Sequence, residues 1–328
     1  MLRILYCTPD GKCRTDLQVD GLAAALSTKT GVIWVDLDGV SQETSEAVLR
    51  GVFHFHHLAI EDALQESNVP KVDDWHEYLY LVLYNLNNDP TREEPRDELD
   101  IFVSPQFIVT YHAAPIPPLE RLWQQCAQDR TGRLWRHGAD HLLYNLADEL
   151  VKTYTIVADQ LEDRLHDIED EVFHKPGKDI PQRIFLFKRE LVDLRRIISP
   201  QRDVFLKLSR DDFAVIDAKD RIFFSDLYDH INQVYDLVES LRDRAHSALD
   251  THLSIVNNRM NDVMKALAVI TALFLPLTFV TGFFGMNFFQ PAVQTEAWTG
   301  YIALDITLGA MVLIPVVLYL WMRRRSWL

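Results

Sequence analysis

Asn261, Met264, Leu267, Thr271, Leu275, Thr278 and Gly282 follow one another at steps of three and four residues. On a helix that spacing puts them on one stripe, with Ala268 adjoining Leu267. The stripe carries an amide, two hydroxyls and a glycine, separated by apolar side chains. Turned inward in several copies, it would line a pathway with alternating polar and hydrophobic rings. Turned against another helix, it would be a packing face whose threonines bond their own backbone. The stripe leads into "FVTGFFGMNFFQ", residues 279–290, an apolar run closed by Gly285, Met286 and Asn287 rather than by lysine or arginine. A ring of asparagine side chains offers carbonyl oxygens without net charge. It can hydrogen-bond the water shell of a cation and pass the ion on, where a carboxylate ring would hold it. Gly285 lets the backbone turn or approach closely. This tripeptide tips the reading toward a lining.

A long helix must carry the stripe. Between 220 and 284 there is no proline before Pro276 and no glycine before Gly282, and apolar residues recur at three- and four-residue steps from Leu227 to Leu267. At ~1.5 Å per residue such a helix is about 95 Å long, more than an ordinary globular domain holds. Its last part, 266–284, is 19 residues without a charge. That is about 28 Å, close to the thickness of a bilayer's hydrocarbon. A second apolar run, 301–322, is interrupted only by Asp305. The segment between the two has no lysine or arginine, whereas Arg259 and Lys265 precede the first run and Arg323, Arg324 and Arg325 follow the second. The positive-inside rule then places both termini in the cytoplasm. A buried hairpin of a soluble protein would not explain these flanking charges. Two spans cannot enclose a pathway, so the chain is either anchored by them or oligomerises around an axis.

Upstream, 139–173 reads as a long helix, "HKPGK" (174–178) as a break, and 181–210 as another helix with a kink or break at Pro200. Residues 1–138 read as α/β. Strands are expected at "LRILYC", "VIWVDLD" (32–38) and "YLYLVLYNL" (78–86), with a hairpin in 98–113 turning at Ser104-Pro105-Gln106. Residues 87–98 read as a polar connection. The expected fold class is therefore an α+β membrane protein in three parts: an α/β domain (1–138), a long-helix stalk (139–265) and a two-span domain (266–328).

The formal net charge is −15, and residues 1–284 hold 46 acids against 30 bases. So acidic a body repels nucleic acid and attracts cations. Cys7, Cys13 and Cys126 are odd in number and lack CxxC spacing, which argues against a disulfide framework or a zinc ribbon and fits a reducing compartment. The N-terminus is too short in apolar residues for a secretory signal. "HFHH" (His54, His56, His57) places no pair at i, i+4, and no cysteine is near. It reads as a surface or core feature rather than a metal site. There is no P-loop, GxSxG or HExxH, so neither ATPase nor hydrolase chemistry is indicated, and the chain is not expected to be an enzyme.

"NDVMKALAVITALFLPLTFVTGFFGMNF" (261–288), followed by a second span and the closing "RRRSWL", resembles the CorA family of magnesium transporters. "EDALQESNVPKVDDWHEYLYLVLYNL" (61–86) and "FFSDLYDHI" (223–231) are similar to family segments too. The resemblance implies a funnel-shaped homopentamer that passes Mg²⁺, and in some members Co²⁺ or Ni²⁺, inward down the membrane potential. It implies a selectivity entrance at Gly285, Met286 and Asn287. Polar rings would lie at Asn261, Thr271 and Thr278, an apolar constriction at Met264 and Leu267, and an inner basic ring at Arg323, Arg324 and Arg325. It also implies that cytoplasmic Mg²⁺ bound between subunits closes the channel, at Asp62 and Asp226, with Glu61, Asp148 and His230 as a second group. A Zn²⁺ transporter of the same superfamily and a membrane-anchored coiled-coil scaffold are the rival readings. The outer segment 289–300 holds one acid, Glu296, fewer than a cation entrance usually carries.

Overall fold

The computed structural model of the chain describes residues 1–8, 13–15, 17–28, 31–65, 69–86, 96–129, 134–135, 137–174, 176–285 and 300–325. Most of the polar connection 87–98, and Met286, Asn287, Glu296 and the final "SWL", lie outside the described residues. The chain falls into two compact units, one of Met1–Glu171 with Asp179–Ala248 and one of Val172–Lys178 with Leu249–Leu328.

The first unit is built on a seven-stranded sheet, β1 (Leu2–Cys7), β2 (Cys13–Arg14), β3 (Val32–Asp38), β4 (Lys71–Asp74), β5 (Leu79–Leu86), β6 (Arg96–Val103) and β7 (Phe107–His112), in the order β2-β1-β3-β7-β6-β5-β4. β3 and β7 are parallel and every other neighbour pair is antiparallel. The alternation of β3 sets its faces. Ile33, Val35 and Leu37 join a core with α1 (Val19–Ser27), α2 (Gln42–Gly51) and α3 (His57–Gln65). Trp34 turns to the other face, where it meets Trp123 of α4 (Pro117–Gln128) with ring centroids 4.9 Å apart. Beside it the buried Asp36 accepts hydrogen bonds from Arg3 (2.8 Å), Thr110 (2.5 Å) and His112 Nε2 (3.2 Å). Burial pulls the His112 imidazole down, but Asp36 outweighs it and holds the ring above its ordinary value. The hairpin turns at 104–106 as expected, with Ser104 N–H bonded to the Phe107 carbonyl.

Two expectations are corrected. Cys7 and Cys13 form a disulfide across β1 and β2, while Cys126 is free and buried. The pairing follows from strand register, which brings the two Cα atoms to 4.1 Å and which cysteine spacing does not reveal. Of the kink or break expected at Pro200, the break does not occur: α6 runs from Ile180 to Arg210. The missing N–H is a loss of about 3 kcal/mol. It is offset by the burial of Ile197, Ile198, Val204 and Phe205 around it.

Three long helices pack against one another. α5 (Ala139–His174), α6 and α7 (Arg221–Phe284) interlock through stripes that include Leu150, Leu161 and Leu165, then Ile184, Leu191 and Ile198, then Leu227, Ile231, Leu241 and Ala245. Arg244 bridges from α7 to Glu162 (2.9 Å) and Glu169 (2.8 Å) of α5. What fastens the helices to the sheet is a polar clasp. β4 pairs with β5 from Leu79 to Val82, and Tyr84 lies beyond that stretch. The fully buried Gln201 accepts the Tyr84 N–H (3.1 Å), and Tyr154 OH donates to the Tyr84 carbonyl and to Gln201 Oε1 (2.9 Å). Gln201→Leu keeps the volume but orphans a buried N–H, so it should lower stability by about 1–3 kcal/mol. Equilibrium unfolding of the purified variant checks this, with Gln201→Glu as a variant that keeps an acceptor.

In the second unit α7 continues to Phe284 and α8 (Tyr301–Arg324) follows. Both are long and apolar enough to cross a membrane, with mean hydropathy of 2.1 and 2.0 over their apolar stretches, and neither stretch is buried within the chain. A core helix of a soluble protein would be covered. Here Val263, Leu267, Phe274 and Phe279 are each more than half exposed.

Candidate functional site

α7 presents the expected stripe without interruption. Met264, Leu267, Ala268, Thr271, Ala272 and Leu275 line one open groove of about 470 Å³. Thr271 Oγ1 donates to the Leu267 carbonyl (2.9 Å), and Thr278 Oγ1 to that of Phe274 (3.0 Å). These are the backbone bonds of a packing face, yet they also define polarity. With its proton committed to the helix, each hydroxyl oxygen turns only lone pairs outward. Thr281, which the sequence reading passed over, does the same toward Leu277 (3.0 Å) and Thr278 (3.1 Å). A turn later Gly285 N–H bonds the Thr281 carbonyl (2.9 Å), and a Cβ at 285 would approach that oxygen to 3.1 Å. Asn261 and Gly282 are exposed on α7, and nothing lies within 4 Å of a Cβ built at Gly282. Arg323 and Arg324 end α8, and Arg325 caps it through N–H bonds to Trp321 and Met322 (3.2 Å each).

The acids named for cation sensing lie in the first unit on α3, α5 and α7. Each has a partner in its own chain. Asp62 is paired with Lys71 of β4, which also reaches Asp73 (2.9 Å) and lies over the Tyr80 ring. Burial pulls the Lys71 ammonium down, but its bonds to Asp62 and Asp73 outweigh it and hold it above its ordinary value. Glu61 accepts from Gln65 (3.2 Å). Asp148 pairs with Lys152 (2.7 Å), whose ammonium it holds up, and Asp226 faces His230 one turn on (3.9 Å). Asp148 and Asp226 converge on Tyr144: burial raises its hydroxyl most, and those two charges raise it further. Tyr144 in turn packs on Phe223, with centroids 5.3 Å apart. Among the described residues no three His, Cys, Asp or Glu side chains gather closely enough to hold a metal, and the "HFHH" histidines are no exception. Carboxylates suit a hard cation such as Mg²⁺. Within one chain, lysines already pair with Asp62 and Asp148. Sequence reading gave Lys71 and Tyr144 no role, although Lys71 lies inside the family-like segment 61–86, because their closeness to these acids comes from the fold.

A family model described as CorA-like Mg²⁺ transporter protein matches residues 29–324. The chain is 32% identical over 297 residues to a cobalt/magnesium transport protein CorA of Thermotoga maritima, covering 90% of this chain and 83% of that one. It is 25% identical over 325 residues to a zinc transport protein ZntB of Yersinia pestis, covering 97% and 94%. The solved CorA magnesium transporter of Methanocaldococcus jannaschii superposes with a TM-score of 0.80 at 22% identity, over 100% of this chain and 99% of that one. On this match across nearly its whole length, the chain belongs to the CorA-like family of Mg²⁺ transporter proteins.

Proposed function

We propose that several copies of this chain, five by resemblance, form a channel that imports Mg²⁺ down the membrane potential, with both termini in the cytoplasm. The observation that carries the reading is the uncovered stripe of α7, in which hydroxyl lone pairs alternate with apolar side chains and lead to Gly285. Mg²⁺ dehydrates reluctantly and keeps an octahedral water shell. Oxygens that only accept hydrogen bonds suit the outward-pointing protons of that shell, and the neutral amide of Asn287 admits the ion without trapping it. Met264 and Leu267 close the pathway by excluding water. Asp62 and Asp226, with Glu61, Asp148 and His230 beside them, bind cytoplasmic Mg²⁺ where two copies meet. The ion clamps the closed state and so limits its own uptake. Arg323, Arg324 and Arg325 ring the inner membrane surface.

The test is Mg²⁺ uptake into proteoliposomes under an inside-negative potential. Wild type should fill the vesicles, and Asn287→Ala should lose at least about tenfold, the scale of one well-placed polar contact. A folded, inserted wild type without Mg²⁺ flux would overturn the reading. The similarity to a zinc transport protein then favours Zn²⁺, tested with a pH gradient, as the second reading. Co²⁺ and Ni²⁺ are measured in the same assay as competing cargo. Absence of flux for every ion would leave the scaffold reading.

A further inference from the structure

The first unit contains two buried carboxyl groups that cation passage and sensing do not use. Asp140, in the first turn of α5, and Asp220, immediately before α7, are each only 5% exposed, and Asp217 links them, its N–H on Asp140 Oδ2 (3.0 Å) and its carbonyl accepting the Asp220 N–H (2.9 Å). The neighbouring backbone decides which carries the charge. Asp140 Oδ2 accepts the Asp217 N–H (3.0 Å) and Oδ1 accepts the His141 N–H (2.9 Å), as suits an anion at a helix N-terminus. Gly138, at φ +101°, makes room for it, because a Cβ there would stand 2.8 Å from Asp140 Oδ1. Asp220 is then the acid whose proton joins the two.

We propose that Asp140 and Asp220 form a proton-binding site that ties the N-terminus of α7 to that of α5. The proton sits on Asp220 and is donated to the Asp140 carboxylate; its loss leaves two anions face to face away from water. Burial, and then the Asp140 charge, raise the Asp220 carboxyl above its ordinary value of 3.8. The charged groups facing it are Asp140 of α5, His137 of the turn before α5 and Asp217 of the connection into α7; a protonated His137 opposes the shift. Arg221, next along α7, is tied to Asp212. Because the folded value is raised, the stability that the pair contributes is fully present below 3.8 and is lost as pH rises through the folded value.

The consequence reaches the sensing acids through one aromatic layer. Phe223, three residues past Asp220, packs on His141 (5.1 Å) and on Tyr144 (5.3 Å), and Asp148 and Asp226 lie around Tyr144. Ionisation of Asp220 pushes α7 from α5 at this layer and spreads the two acids. Protons thus support Mg²⁺ binding at the sensing site, a step that rests on the proposed function.

Infrared difference spectra of the full-length protein in lipid read the proton itself. Wild type should show the C=O band of a protonated carboxylic acid that persists at pH values where ordinary aspartates are ionised, and Asp220→Asn should lack it. Absence of the band from wild type overturns the proton site. Stabilisation by added Mg²⁺, followed through thermal unfolding, reads the coupling. In wild type the Mg²⁺ midpoint should rise by about fivefold or more as pH is raised through the range in which the infrared band disappears. His230 is present in both proteins, so Asp220→Asn should lose this rise. Equal pH dependence in the two proteins overturns the coupling. If Mg²⁺ stabilises neither protein at any pH, the sensing reading fails, while the infrared band still decides the proton site.

Discussion

Leu267→Asn should keep the channel conducting at cytoplasmic Mg²⁺ concentrations that shut the wild type. An apolar constriction closes without a plug, because water is expelled from between hydrophobic walls and a hydrated ion cannot follow. In the α7 groove the apolar wall is Met264, Leu267, Ala268 and Leu275, and Leu267 stands one turn before the first hydroxyl. An amide of nearly the same size holds water there. Residual uptake at high internal Mg²⁺ should rise by about tenfold or more, the equivalent of roughly 1.4 kcal/mol off the closed-state barrier. Uptake at low internal Mg²⁺ should change little, since the entrance proposed at Gly285, Met286 and Asn287 is untouched. Leu267→Met, which conserves volume and polarity, should close normally. Internal-dye fluorimetry over a range of loaded Mg²⁺ separates these outcomes. Normal closure in Leu267→Asn would remove Leu267 from the gate.

The parts of this protein that sequence reveals are those governed by one repeating period. The β-rich run "VIWVDLD" coincides with β3, and the three- and four-residue period carried α7 unbroken to Phe284. The long uncharged runs of α7 and α8 were equally plain. The misreadings share a cause, which is dependence on pairing between distant segments. The Cys7–Cys13 disulfide needs the register of β1 and β2. Pro200 remains helical because of what is buried around it. Asp62 could be named from its motif, yet Lys71, which neutralises it, sits on a strand whose closeness only the fold supplies. Asp140 and Asp220 are 80 positions apart in the chain and meet only because α5 and α7 are aligned at their N-termini.

Neutralising the sensing acids and freeing them should move channel closure in opposite directions. With Asp62→Asn and Asp226→Asn combined, the Mg²⁺ concentration that half-closes the channel should rise. A divalent ion held through water at about 4 Å from one carboxylate gains roughly 2 kcal/mol in a watery dielectric, so the shift should be about tenfold or more. Lys71→Met should act the other way. In the isolated chain Lys71 already satisfies Asp62, and an ion must displace or share that ammonium. The two side chains are 29% and 46% exposed, so solvent screens the pair. An ion pair so exposed is worth about 0.5–1 kcal/mol. Its removal should therefore lower the closing concentration by about two- to fivefold, without altering uptake through the open channel. The contrast carries the argument, because general damage to the subunit interface would raise the closing concentration in both variants. If Lys71→Met also raised it, Lys71 would be a structural tie between α3 and β4, and the Mg²⁺ clamp would not act at Asp62.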